Sequence, residues 1–494
     1  MGRYKFGLRN YCCNNTDDRG KTACFEKTKE KWLMSRDYVI FRQWKSNLLS
    51  EWVVIVFLFF LLGCSGSKDS PLKEDTDETE EGLVLPTSGC GLPAYDFLPT
   101  TGMGEIVSID HRPELSMSKE AISSLVDNFS FPLPPPQYDV ETYYIQYRTQ
   151  DKGEEVLATG IISIPNRTDD NIPILLWEHP TMGFADSCAP TATGVIGGAY
   201  PILFASLGMA VTAPDFIGMS GWTGSSTDLH PYIAGEPTAI ASLDSIRALQ
   251  NTLIREDIEL DIDPQNVVIW GASEGGYASL MSDRYMPYYA PEFSSVATVA
   301  AIPVTDPMAL GQHAVVVLGP TTAGIMGSQI THNQWYEADV DLSEIINPQF
   351  SSMIEEFLQE ECEDFNIFEG VTSVEDVYTD SYISGILSGE YEPWTCFLKE
   401  NSILGTPVPY VRSAPTLIIT AEQDDLAIAA PVHHDIDEMC NLGYEIEHLQ
   451  CAGLGHVDGA LDTLGIQWEW IQQRLQGEPL QNPCVVTNPV SCPD

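Results

Sequence analysis

Positive charge is scarce in this chain. Its 494 residues hold 24 Lys+Arg against 71 Asp+Glu, a formal net charge of −47. A field of that sign repels phosphate backbones, which argues against nucleic acid as a partner. No internal repeat is found, and no Cys-x-x-Cys or Cys-x-x-His pair occurs, so the spacing that zinc sites use is missing. The apolar run at 52–62 is uninterrupted but short for a membrane span. What remains is globular in composition, 44% hydrophobic and 19% charged, and long enough for a sizeable core.

The few basic residues are unevenly placed. Residues 1–63 carry 11 Lys+Arg and 6 Asp+Glu, leaving 13 against 65, or −52, for the rest. The basic stretch leads into the apolar run and then Gly63-Cys64-Ser65, the pattern of a secretory h-region. Ending in Leu-Leu-Gly-Cys, it resembles a bacterial lipobox, in which the cysteine is lipidated and becomes the first residue of the mature chain. A membrane-anchor helix with an incidental cysteine is the alternative. The lead before this run is long for an n-region, and Met34 makes a better start. Residues 1–63 are thus expected to be a leader, with Cys64 as lipid attachment site and membrane anchor. Ser65 in place of Asp points to an outer-membrane or cell-surface lipoprotein, periplasm-facing or outward. The acidic stretch 64–89 is too polar to fold and reads as a tether.

Eight cysteines remain beyond Cys64: Cys90, Cys188, Cys362, Cys396, Cys440, Cys451, Cys484 and Cys492. An even count in an exported protein predicts up to four disulfides, with the connectivity open. From about Tyr138, short apolar runs alternate with helical pattern. Runs at 140–147, 155–164, 172–177, 209–213, 267–270, 416–420 and 444–449 predict strands, and 237–254 a helix. A helix is also read at 431–440, with a final one at 460–475. This rhythm predicts a mostly parallel α/β sheet covered on both faces. The core is expected in two parts, 90–305 and 403–477. Residues 306–402 break the rhythm and read as a helical cap or lid insertion, and 478–494 as a disulfide-pinned tail.

The chemistry centres on Gly271-Ala-Ser-Glu-Gly275, directly after the apolar strand 267–270 and opening a helix. Strand, tight turn and helix are the context of a nucleophile elbow, which makes Ser273 the candidate nucleophile. A serine hydroxyl needs a base, and the base needs an orienting acid. The strand 416–420 ends at Ala421-Glu-Gln-Asp-Asp425, so Asp424 is the candidate acid and Asp425 the reserve. Of the histidines that follow, His433 and His434 sit in a helical pattern and His448 in a strand. His456 lies in a glycine-rich loop and is the candidate base. For the oxyanion, one backbone donor is Glu274; the other is Thr181 or Met182, since Pro180 has no N–H. His179 is read as a loop organiser. No cofactor or metal is required by this chemistry.

His179-Pro-Thr-Met-Gly183, Asp186-Ser-Cys-Ala-Pro190, Ala213-Pro-Asp-Phe-Ile-Gly218, His230-Pro-Tyr232, the Ser273 motif, Tyr289-Ala-Pro-Glu-Phe293 and Gly455-His456 occur in this order. Together they resemble the secretory lipase family of α/β-hydrolases, here as a bacterial lipoprotein member, over roughly residues 138–477. The resemblance implies a secreted serine ester hydrolase acting on an ester or lipid, with a cap between nucleophile and acid. It supports Ser273, Asp424 and His456 position by position. Pro180 stands where many members have glycine. The triad alone leaves an amidase or peptidase open, and a non-catalytic surface binding protein is the third reading. The aromatics Trp335, Tyr336, Phe350, Phe357, Phe365, Phe368 and Trp394 either line an acyl tunnel or pack the insertion's own core.

Overall fold

Successive side chains on the central strands go to opposite apolar layers. Ile174 and Leu176 join one buried cluster, while Leu175 and Trp177 join the other. Val267 and Ile269 are divided from Val268 and Trp270 in the same way. Strands buried on both faces in this manner need helices on both sides. The computed structural model describes residues 84–129, 132–223, 229–350, 362, 367–368 and 370–492. The leader and residues 64–83 of the tether, Cys64 included, lie outside them; residues 84–89 are described, and there the Gly89 amide donates to Glu400 Oε2 at 2.7 Å.

Nine strands form one sheet: β1 (Ile106–His111), β2 (Val140–Asp151), β3 (Glu154–Pro165), β4 (Ile172–Glu178), β5 (Ala210–Pro214), β6 (Ile262–Ala272), β7 (Ser295–Ala301), β8 (Thr416–Ala421) and β9 (Ile446–Cys451). Their order is β1-β2-β3-β5-β4-β6-β7-β8-β9. Pairs from β1 to the β3–β5 pair are antiparallel, and all pairs from β5 to β9 are parallel. One layer is made by α1 (Lys119–Phe129), α2 (Val195–Ser206) and, at the C-terminal end, the helices α11 (His456–Leu461) and α12 (Leu464–Leu475). The other is made by α3 (Gly235–Arg255), α4 (Glu274–Tyr289) and α10 (Ala429–Leu442). This is the α/β-hydrolase fold.

Between β7 and β8 run α5 (Pro307–Ala314), α6 (Pro320–Trp335), α7 (Val374–Val377), α8 (Asp380–Ser388) and α9 (Trp394–Glu400), with no strand among the described residues of that stretch. Their apolar side chains, such as Leu310, Ile325 and Phe397, merge with the α3–α4 layer. Trp335, Tyr336, Phe350, Phe368 and Trp394 are all buried in that cluster; Phe357 and Phe365 lie outside the described residues.

Several expectations are corrected. β1 and β7 were not anticipated, β1 because an edge strand is half exposed and β7 because it is built from small residues. β6 begins five residues early, at Ile262. The final helix 460–475 is two helices that part at Asp462 and Thr463, where the Thr463 hydroxyl donates to the carbonyls of Gly459 (2.7 Å) and Ala460 (3.2 Å).

All eight cysteines pair: Cys90–Cys396, Cys188–Cys362, Cys440–Cys484 and Cys451–Cys492. The last two hold the tail along β9. There the Cys484 amide donates to the Ile446 carbonyl and the Val490 amide to that of Gln450. The tail thereby covers a sheet edge that would otherwise present unpaired backbone groups.

One carboxyl is buried where β4 ends. Glu178 is fully buried and accepts from Ser242 Oγ on α3 (3.0 Å) and Ser282 Oγ on α4 (2.8 Å). Burial pushes its pKa up to about 8, from an ordinary 4.5. The folded chain therefore holds a proton here that the unfolded chain has released. This group's stabilisation is full below about 4.5 and lost as pH rises through about 8. Glu178→Gln is expected to flatten the decline of stability across that window by one proton's share, read from denaturant unfolding at both ends of it. Replacing Cys451 and Cys492 together by Ser, which opens a loop of 41 positions, should lower stability by up to about 4 kcal/mol on the chain-entropy account. Calorimetry of oxidised protein checks this.

Candidate active site

The turn between β6 and α4 is set by backbone crowding. A Cβ on Gly271 would lie 2.3 Å from the Gly275 carbonyl oxygen, and one on Gly275 would lie 2.1 Å from that of Glu178. Neither position admits a side chain, so β6, α4 and the end of β4 meet backbone to backbone. Ser273 between them takes φ 58° and ψ −119°, a left-handed conformation that costs a non-glycine residue about 1–3 kcal/mol. Its amide donates to the Ala301 carbonyl at 2.9 Å, which ties the turn to β7.

Ser273 Oγ lies 2.8 Å from His456 Nε2, and His456 Nδ1 lies 2.8 and 2.9 Å from the two carboxylate oxygens of Asp424. An ionised carboxylate only accepts, so Nδ1 carries the hydrogen and Nε2 is left to accept from the serine hydroxyl. Asp424 is held in turn: its Oδ1 accepts from the amides of Leu426 (2.9 Å) and Ala427 (2.8 Å). Asp424 and Ser273 are 8% and 6% exposed, and His456 is half-buried. Asp425, by contrast, is exposed, and its carbonyl accepts from Thr321 Oγ1 on α6. His456 was expected in a loop; it is the first residue of the short α11.

Glu274 opens α4, and the first amides of a helix have no acceptor within it, so the one beside Ser273 is available to an incoming oxygen. Its carboxyl is buried and meets His230 Nε2 at 2.6 Å, while His230 Nδ1 donates to the Ile217 carbonyl at 3.0 Å. Thr181 borders the same space as Ser273, and its hydroxyl meets Tyr232 Oη at 3.0 Å. Met182 instead packs with Cys188, Ala189 and Met219. His179 Nδ1 donates to the carbonyl of Pro180 at 2.7 Å, and burial lowers its pKa.

The other histidines stay apart from this group. His433 and His448 both approach the Thr420 hydroxyl, at 3.3 and 3.0 Å, and burial lowers both their pKa values, that of His448 to about 3. Among the described residues no group of three or more His, Cys, Asp or Glu side chains is gathered as a metal site.

A cavity of about 390 Å³ opens at Ser273 and His456. Its walls include Trp177, Tyr200, Trp270, Ile302, Leu461 and Leu464, which no motif had marked. The available signal was modest: Trp177 and Trp270 sit near the C-terminal ends of their strands, where sheet enzymes hold ligands. His230 and Tyr232 belonged to a recognised motif without a role; they support the Glu274 side chain and Thr181.

The sequence model of the secretory lipase family matches residues 200–483. A secreted triacylglycerol lipase of Malassezia globosa is 25% identical over 363 residues, covering 70% of this chain and 75% of that protein. Among solved structures, the rice cell wall degrading esterase LipA of Xanthomonas oryzae has a TM-score of 0.62 at 18% identity, over 76% of this chain and 98% of its own. Candida antarctica lipase A in its closed state gives 0.59 at 18% identity, over 81% and 91%. The structural likenesses show the fold, and the family match extends over more than half the sequence. This chain belongs to the secretory lipase family and is a carboxylic ester hydrolase.

Proposed function

We propose that the protein cleaves apolar carboxylic esters through Ser273, His456 and Asp424. The reading rests on the hydrogen-bonded line from the Asp424 carboxylate through the imidazole to Ser273 Oγ, at the mouth of an apolar cavity. His456 Nε2 takes the hydroxyl proton as Ser273 Oγ bonds to the acyl carbon. The resulting oxyanion accepts from the amides of Glu274 and Thr181. The protonated imidazole then gives that proton to the departing alcohol oxygen, and the C–O bond breaks to leave an acyl-serine. Water attacks next, with His456 taking its proton and returning one to Ser273, and the acid is released. Asp424 fixes the tautomer and stabilises the charged ring.

Family and disulfides fit an exported protein. We further propose lipidation at Cys64, a tether at 64–89 and an outer-membrane or cell-surface position. The hydrolase is divided as 90–305 and 403–477 around a cap at 306–402, with the tail 478–494. The name of the Malassezia relative supports a lipid such as triacylglycerol as substrate class.

Ser273→Ala is expected to lower kcat on short p-nitrophenyl esters by about 10⁴-fold or more and to abolish fluorophosphonate labelling. Asp424→Asn should cost about 10⁴-fold through the wrong tautomer, while Asp425→Asn stays within about twofold. Full activity of Ser273→Ala, or no labelling of folded wild-type protein, would overturn the proposal; the latter favours a surface binding protein. Faster cleavage of aminoacyl amides than of esters would make the enzyme an amidase. Metabolic labelling with a radioactive fatty acid should mark the wild-type chain in a bacterial host and not Cys64→Ser.

A further inference from the structure

We infer that the hydrocarbon chain of the ester lies inside the α/β body, between α2 and the α11–α12 pair, and that Tyr200 limits its length. This rests on Ser273 being the nucleophile. The cavity at Ser273 takes its walls from Trp177, Tyr200, Trp270, Leu461 and Leu464, and among the described residues none of α5–α9 contributes to it. On the cap side, the space beneath α6 by Ile325 amounts to only about 30 Å³. That is room for about one or two water molecules and not for a chain. An apolar cavity of about 150 Å³ accepts benzene. At about 390 Å³, the space at Ser273 therefore takes on the order of a dozen carbons on the same scale.

The walls are built before any substrate arrives. The Trp177 ring stacks on Tyr200 (4.7 Å between centroids, 21° between planes) and meets Trp270 edge-on at 5.8 Å. The Trp270 indole donates to Gln467 Oε1 at 2.6 Å. The Gln467 amide nitrogen donates to the Ala460 carbonyl (2.9 Å) and to Thr463 Oγ1 (2.7 Å). Gln467 is a polar side chain in this wall, and its amide is engaged with the protein, so the surface left to a ligand is apolar.

Tyr200 also borders a second apolar space of about 330 Å³ between α1 and α2, lined by Ile122, Leu125 and Ile196. Among the described residues Tyr200 alone is common to the two linings. A chain growing from Ser273 gains roughly fourfold in kcat/KM per buried methylene until it reaches the end of the first space. Removing the Tyr200 ring joins the spaces and moves that end outward.

The test measures kcat/KM for p-nitrophenyl esters from acetate to palmitate and for acetates of alcohols from ethanol to dodecanol. The series that climbs with length shows whether the acyl or the alcohol half fills the cavity; either supports the inference. Leu464→Trp, with Leu461→Trp as the second variant, should lower the long-to-short ratio in that series by at least about tenfold. Tyr200→Ala should shift the optimum to longer chains. Ile325→Phe, in the space under α6, should leave the ratio as it is. The inference fails if Ile325→Phe lowers the ratio and the α12-side variants do not, or if neither series depends on length. A wild-type enzyme that labels with fluorophosphonate and cleaves acetates while failing these tests overturns this inference alone. One that does neither overturns the proposed function as well.

Discussion

Everything at this site depends on one close approach of backbone to backbone. The end of β4 runs so near the β6–α4 turn that the carbonyl of Glu178 occupies the place where a Gly275 side chain would begin. That approach fixes the strained turn at Ser273, orients the first amide of α4, and brings the loop from His179 to Thr181 alongside. The buried Glu178 carboxyl, bridging hydroxyls on α3 and α4, braces the same junction from below. The surrounding sheet supplies rigidity; the chemistry is placed by a few atoms of main chain.

The sequence exposed this junction because steric necessity leaves a compositional trace. Two glycines flanking a serine, after a run of Val-Val-Ile-Trp, mark the turn without any knowledge of the partner segment. Asp424 and His456 were legible through order and context, since each follows a strand's C-terminal end. Order also put Asp424 ahead of Asp425, but only the fold shows why the two differ: neighbouring positions on a turn face opposite ways, and it is Asp424 that meets His456 Nδ1 while Asp425 is exposed. Long-range partners were less visible. Nothing local in Tyr200 or Leu464 says that they share a cavity with Ser273, and nothing in Cys90 names Cys396.

The aromatics between β7 and β8 show the same limit. Their spacing signals burial but not what they are buried against. In the fold, the described ones merge with the α3–α4 layer, where stacked pairs such as Tyr336 and Phe397 (centroids 4.0 Å apart) fill the interior. The described residues of that stretch touch the site more sparingly. Thr331 and His332 of α6 bond the backbone of Tyr232, whose hydroxyl meets Thr181, and Thr321 bonds the backbone beside Asp424. A buttress of this kind holds loops in place while leaving the apolar cavity to the opposite layer.

The cysteine pairing has a consequence for when this protein is completed. Every cross-link joins positions at least 41 apart, and two of the four reach into residues 484–492. None can therefore close around a short emerging segment, and β9 at the sheet edge is covered only once residues 484–490 follow it. Covalent closure thus needs an oxidising compartment with long stretches of chain already present in it. Each cross-link of this ester hydrolase waits for its second cysteine long after the first has emerged.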